Sequence, residues 1–270
     1  MAWVWLYIIW ALTMPQVAEA VVWWESVGPT GKPNLDTIHQ VRYLHEVSYA
    51  TTAGWNDPTE YPPNGWIAAA VAEADASVQY DTICFDLESW PVTTQEQRIA
   101  TAAKFVQFYN EVKALRPNWK IGFYSYAPIR NSTSVLNGEA KGDYQAWQAA
   151  NDDMQPVADV VDFLAPEIYS PSYPTYNSYR LFAEGNIREA NRMAANSGRS
   201  IPVYPFIWYR NSGDTIDNPV DLQVNTVLIC LDQADGLIIW SKYADPWIEG
   251  KSWWQQSQRY LPMKPRAPRL

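Results

Sequence analysis

The chain has 270 residues, 47 % hydrophobic and 18 % charged, which places it among globular proteins and excludes a disordered chain. Its net charge is -9, without the basic footprint that nucleic-acid binding requires. It carries only two cysteines and two histidines, which argues against a disulfide framework, a zinc site and a serine or cysteine triad.

Residues 1–20, "MAWVWLYIIWALTMPQVAEA", combine an apolar run from Ala2 to Leu12 with small residues at Ala18 and Ala20. This pattern reads as a signal peptide cleaved after Ala20, so the mature chain is expected to be exported, to the medium or a periplasm. The run is too short for a comfortable membrane span, and no membrane association is expected after cleavage. No linker or low-complexity tract divides residues 21–270, which read as one domain. Strands and helices then alternate. Strands are expected at 21–26 ("VVWWES"), 45–52 ("HEVSYATT"), 81–89 ("DTICFDLES"), 120–128 ("KIGFYSYAP"), 162–170 ("DFLAPEIYS"), 201–210 ("IPVYPFIWYR") and 235–242 ("DGLIIWSK"). Helices are expected at 64–78, 94–117, 143–161, 178–198, 221–234 and from about Pro246 to Leu261. The helix at 94–117 has Thr94 as N-cap, Gln97 in the capping-box position and Pro117 as a stop. Gly198 closes the helix at 178–198. Cys84 and Cys230 read as two buried free thiols.

Alternation of this kind predicts an α/β fold with a parallel sheet covered by helices. An open doubly wound sheet is one solution, but no glycine-rich phosphate loop is present. A (β/α) TIM-like barrel, seven-stranded and distorted, fits better, with its site at the C-terminal ends of the strands. No cofactor or metal is expected.

Polar and aromatic groups collect at those strand ends: Asp86, Glu88 and Trp90; Tyr124 and Tyr126; Glu167 and Tyr169; Trp208 and Tyr209; Trp240. Side chains alternate along a strand, so Asp86 shares a face with Glu88, Tyr124 with Tyr126, and Glu167 with Tyr169. If those faces point inward, carboxyls and stacking surfaces meet at one mouth, as sugar cleavage requires. The 15 Trp and 17 Tyr suit both sugar stacking and simple core packing. Asp86 and Glu88 could instead belong to a structural ion-pair network, but the nearest basic residue downstream is Arg98. For Tyr124, Tyr169 and Trp240, packing at the core or rim is the plain alternative; for Glu167, a solvated rim position.

At these residues the chain resembles a known family. "FDLESWP" resembles the D-x-E-x-W segment of the hyaluronidases, glycoside hydrolase family 56, whose seven-stranded distorted barrels also end the third strand in D-x-E. In order, "IGFYSYAP" is similar to their fourth-strand segment with Tyr124 at its tyrosine, and "APEIYS" to their P-x-I-Y segment with Tyr169 at its tyrosine. "IPVYPFI" looks like their sixth-strand segment, and "ADGLIIWS" their last-strand segment with Trp240 at its tryptophan. The likeness spans residues 81–242. D-x-E strand ends occur as well in chitinase-like enzymes of family 18 and in family 25 lysozymes. The chain departs from family 56 in lacking its disulfides, in being shorter, and in carrying Glu167 where the family has a small residue.

The resemblance implies a retaining hydrolase acting beside an N-acetylhexosamine, with the substrate's own acetamido oxygen as nucleophile. Glu88 would be the acid and later the base, kept protonated by apolar burial and by the neighbouring Asp86 charge. Asp86 would orient the acetamido group and Tyr169 would hydrogen-bond it. Tyr124 would hold the sugar and Trp240 would wall the subsite. Tyr126, Trp90, Trp208, Tyr209 and Glu167 complete the expected binding surface. Two alternatives stand beside this: a glycosidase using Glu88 and Glu167 on a non-acetylated sugar, and a non-catalytic glycan-binding barrel. In each case the partner is an oligo- or polysaccharide, no nucleic acid takes part, and a monomer is expected.

Overall fold

The computed structural model describes residues 21–25, 39–45, 55–77, 81–170, 175–210, 217–240, 252–257 and 259–260. The expected leader at 1–20 lies outside the described residues, as does half of the expected C-terminal helix. Strands β1 (Val21–Glu25) and β2 (His39–His45) precede helix α1 (Trp66–Ser77). Strand β3 (Thr82–Asp86), helix α2 (Gln95–Leu115) and strand β4 (Lys120–Phe123) follow, then helices α3 (Thr133–Asn137), α4 (Gly142–Asp153), α5 (Gln155–Ala158) and α6 (Tyr176–Asn196). Strand β5 (Phe206–Trp208), helix α7 (Val220–Gln233), strand β6 (Gly236–Trp240) and helix α8 (Ser252–Ser257) complete the order. All six strands pair in parallel, in the order β4-β3-β2-β1-β6-β5.

The third, fourth and sixth expected strands are shorter than expected, at Thr82–Asp86, Lys120–Phe123 and Phe206–Trp208, and the second and fifth need separate description. The second is "HQVRYLH", six residues upstream of "HEVSYATT", and its Arg42–His45 lies alongside Ile83–Asp86. Residues 46–52 lie outside the described residues. The fifth, 162–170, forms isolated parallel bridges in place of a ladder: Ala165 with Tyr124 on one side, Leu164 with Val203 and Glu167 with Phe206 on the other. Pro166 has no N–H to donate, and Pro202 and Pro205 interrupt the facing segment in the same way. The remaining donors still alternate: Leu164 N–H donates to the Pro202 carbonyl at 2.9 Å and Ile168 N–H to that of Phe206 at 3.1 Å, while Asp162 N–H donates the other way, to Ile121, at 2.8 Å. The sheet edges β4 and β5 are thus both bonded to this segment, and among the described residues the named strands number six.

Helix α2 shows how the sheet is covered. Thr94 accepts from the Gln97 N–H and Gln97 reaches back to the cap, so the expected capping box is formed; such caps contribute about 1 kcal/mol. Thr101, Phe105, Phe108 and Val112 recur at helical spacing and are buried. Phe105 and Phe108 meet the outer face of the sheet, Phe108 edge-on to Phe85 at 4.9 Å and Phe105 tilted on Phe123 at 4.6 Å. Since Phe85 faces α2, its strand neighbours Cys84 and Asp86 face the other way. Gly122 on β4 is required by close approach: a Cβ there would lie 2.3 Å from the Phe163 ring. Both cysteines are buried and free, as expected.

Candidate active site

The strand ends place their side chains by a simple parity, and the exceptions are informative. On β3, Cys84 and Asp86 are buried on one face. Burial, and then the Asp86 charge, push the Cys84 thiol well above its usual range, as expected for neighbours on one face. The strand then ends, and Glu88 lies in the turn beyond it, exposed. The apolar burial expected of Glu88 belongs instead to Asp86, 1 % exposed, and Glu167, 9 % exposed. The Glu88 turn is held from below. The Tyr126 hydroxyl sits 2.6 Å from the Glu88 carbonyl oxygen and 3.0 Å from that of Trp90, donating its single proton between them.

Tyr124 and Tyr126 do not share a face. Ser125 between them has φ 64°, in the left-handed region, and breaks the two-residue period. Tyr124 therefore meets Tyr169 (centroids 6.0 Å) and Phe206 (5.1 Å), whereas Tyr126 packs on Phe105 of α2 (5.1 Å). Tyr126 supports the Glu88 turn and packs toward α2, apart from the Tyr124–Tyr169 contact. Trp90 and Tyr209 are corrected in the same sense. Trp90 is 1 % exposed, edge-on to Phe105 at 4.7 Å, with its indole N–H donating to the Glu60 carbonyl at 3.1 Å. Tyr209 is 1 % exposed beneath the Arg210 guanidinium. Neither leaves a face for a ligand.

At the neighbouring strand ends, four of the expected residues meet. Tyr169 stacks on Trp240 (5.7 Å, 26° between planes) and lies 5.8 Å from Trp208. Trp208 and Trp240 meet edge to face at 5.0 Å. Together with Tyr124 they form a continuous aromatic wall at the ends of β4, β5 and β6 and of the bridged segment. Glu167 stands beside it. Its carboxylate takes a hydrogen bond from Tyr124 and pairs with Arg130 at 3.2 Å. Burial raises the Glu167 pKa above its ordinary value; Arg130 and Tyr124 oppose that shift, and the Glu88 charge adds to it.

Arg130 is the residue the sequence reading missed. Arg98, the nearest base downstream of Glu88, pairs with Asp153 at 2.9 Å. The cation paired with Glu167 comes instead from the loop after β4, six residues beyond Tyr124. Only the three-dimensional return of that loop to the strand end marks it. No group of three or more metal-ligating side chains is found among the described residues, and none of their helices is long and apolar enough to cross a membrane.

No protein-family model and no curated protein matches the chain. Solved structures do. A GH18 chitinase from Pseudoalteromonas aurantia overlays with TM-score 0.49 at 13 % identity, over 83 % of this chain and 76 % of that one. The endo-beta-1,4-mannanase of Thermotoga petrophila gives TM-score 0.49 at 15 % identity, over 76 % and 49 %. Bee venom hyaluronidase in complex with a hyaluronic acid tetramer gives TM-score 0.63 at 18 % identity, over 91 % of this chain and 97 % of that one, so the two share a fold along almost their whole lengths.

Proposed function

We propose that the chain is a glycoside hydrolase that cleaves beside an N-acetylhexosamine with retention of configuration. The observations that support this reading are an exposed Glu88 on a braced turn, a buried Asp86 at the end of the strand before it, and the wall of Tyr124, Tyr169, Trp208 and Trp240 at neighbouring strand ends. In this reading a sugar ring lies against Trp240, the partly exposed member of the wall, with the buried Tyr124, Tyr169 and Trp208 backing it, and excludes water from Glu88. Glu88 then protonates the glycosidic oxygen as the substrate's acetamido oxygen attacks the anomeric carbon and the leaving group departs. Asp86 orients the acetamido group, and Tyr169 donates a hydrogen bond to it. Water, deprotonated by Glu88, opens the cyclic intermediate and restores the proton. The shared fold with bee venom hyaluronidase supports the reading. So does the bridged segment 162–170, which in this proposal is the seventh stave closing β4 to β5. The chain is further proposed to be an exported monomer once its leader is removed.

The test is turnover of N-acetylhexosamine polymers by the purified mature chain. Glu88→Gln should lower the rate by about 10² to 10⁴-fold, the usual worth of a general acid, with glycan binding retained; an unchanged rate would sink the assignment. A second reading has one observation behind it: the buried Glu167 feels the Glu88 charge. In that reading the two carboxyls act together on a non-acetylated sugar, and faster turnover of such sugars would favour it. Binding without hydrolysis of any glycan would favour a non-catalytic barrel.

A further inference from the structure

We infer that the Glu167–Arg130 pair is a specificity element that admits uncharged glycans and turns away uronate-bearing ones; this rests on the mouth being a glycan site. The pair is built into the fold. The backbone on either side of Arg130 is held by two side-chain amides that are themselves fully buried. Asn151 of α4 accepts from the Ile129 N–H at 2.8 Å. Asn186 of α6 accepts from the Asn131 N–H at 3.1 Å and donates to the Asn131 carbonyl at 2.9 Å. The Trp147 indole N–H adds a bond to the Ile129 carbonyl at 2.8 Å. The guanidinium lies over the Phe182 ring at 5.5 Å and meets Glu167 at 3.2 Å. So much fixed structure holds Arg130 at one place, against a carboxylate that burial disfavours.

The charge balance gives the consequence. Among the described residues, Asp86 and Glu167 stand at these strand ends, and Arg130 is already engaged by Glu167. The other arginine described near these strand ends, Arg210, pairs with Asp217 at 3.1 Å. A uronate ring would bring its carboxylate among like charges, with the described guanidinium groups both occupied. Desolvating a charge without a partner is costly, and such repulsion is how a site rejects a competitor. An uncharged N-acetylhexosamine chain carries no such cost. Removing the Glu167 charge reverses both terms, since it deletes one repulsive carboxylate and frees a rigidly held guanidinium able to grip a carboxylate through two bonds.

Binding is measured by tryptophan fluorescence in a Glu88→Gln background, which separates affinity from turnover. The probes are chitotetraose and a hyaluronan tetrasaccharide. The Glu88→Gln protein should bind chitotetraose at least about tenfold more tightly, and adding Glu167→Gln should move the ratio about tenfold or more toward hyaluronan. Adding Arg130→Gln as well should abolish that gain. Should Glu167→Gln fail to fold, salt is the second probe: rising ionic strength should strengthen hyaluronan binding to Glu88→Gln and leave chitotetraose binding almost unchanged. Equal affinities, an unmoved ratio, or hyaluronan binding that weakens with salt would overturn the inference. Wild-type turnover is followed on both glycans alongside. Turnover without preference overturns the specificity element alone, preference without turnover overturns only the hydrolase reading, and no binding of either glycan overturns both.

Discussion

Trp90 and Trp240 both stand at strand ends, and both read from sequence as sugar-binding tryptophans. In the structure Trp90 is sealed between Phe105 and Tyr61, with Lys104 over its ring, while Trp240 stays partly open and stacks on Tyr169. Trp90 lies four residues beyond the end of β3, where the chain has already turned toward α2. Trp240 is the last residue of β6 and still pairs in register with Trp208 of β5. The difference shows that residue type alone does not make a binding surface. A side chain still in register with its strand points where the strand directs it, and one beyond the end points where the next helix packs.

The comparison can be broken by exchanging the losses. Trp90→Ala should cost about 3–5 kcal/mol of folding stability, the usual cost of emptying a large buried aromatic site, as read from urea unfolding. Its glycan affinity, measured under conditions where it is folded, should change little. Trp240→Ala should do the reverse, losing about 2 kcal/mol of glycan binding, as a central aromatic contact does, with a smaller effect on unfolding. If Trp90→Ala abolished binding in a folded protein, the parity argument would fail.

Tyr126 sharpens the same contrast on a smaller scale, because it lies beyond a strand yet serves the site. Tyr126→Phe removes the bond that braces the Glu88 carbonyl and should cost about 1 kcal/mol of stability. If Glu88 is the acid, kcat should fall about tenfold with KM little changed, since a slightly misplaced acid impairs the reaction more than the binding. In the Glu88→Gln background the same change should have almost no further effect on rate, the non-additivity expected of two residues acting as one unit. Additive losses would assign Tyr126 a purely structural role.

How much of this was legible in the chain follows local rules. Helix α2 could be read because Thr94 and Gln97 form their box within four residues, and because Phe105, Phe108 and Val112 keep one face. The end of β3 could be read because Asp86 has no local reason to sit in an apolar run. The run "HQVRYLH" was not read as a strand because what marks it is its pairing with Ile83–Asp86, a non-local fact. The segment 162–170 was found as an apolar run, but Pro166 and its facing prolines thin its ladder to bridges. The divergence of Tyr124 and Tyr126 rests on a left-handed Ser125, a conformation with no mark in the residue type. The Arg130–Glu167 pair joins residues 37 positions apart, and only the closing of the strand ends brings them together.

That pair supplies the smallest effect and the most direct check of the electrostatics at the mouth. Burial is the leading influence on Glu167 and raises its pKa above the ordinary 4.5. The folded protein therefore holds more protons than the unfolded chain between pH 4.5 and the raised value, and stability falls as pH climbs through that window. Glu167→Gln has no such proton to lose. The stability of wild type relative to this variant should be flat below about pH 4.5, decline as pH rises above it, and level off once Glu167 is ionised in both states. The total change should be a fraction of the Trp90 cost, because Arg130 and the Tyr124 hydroxyl favour the ionised form and offset part of the burial. Urea unfolding of both proteins from pH 4 to pH 7 measures it. A difference that grows with pH would mean that Arg130 and Tyr124 outweigh burial, and that the Glu167 carboxylate is stabilised at the mouth, not strained there.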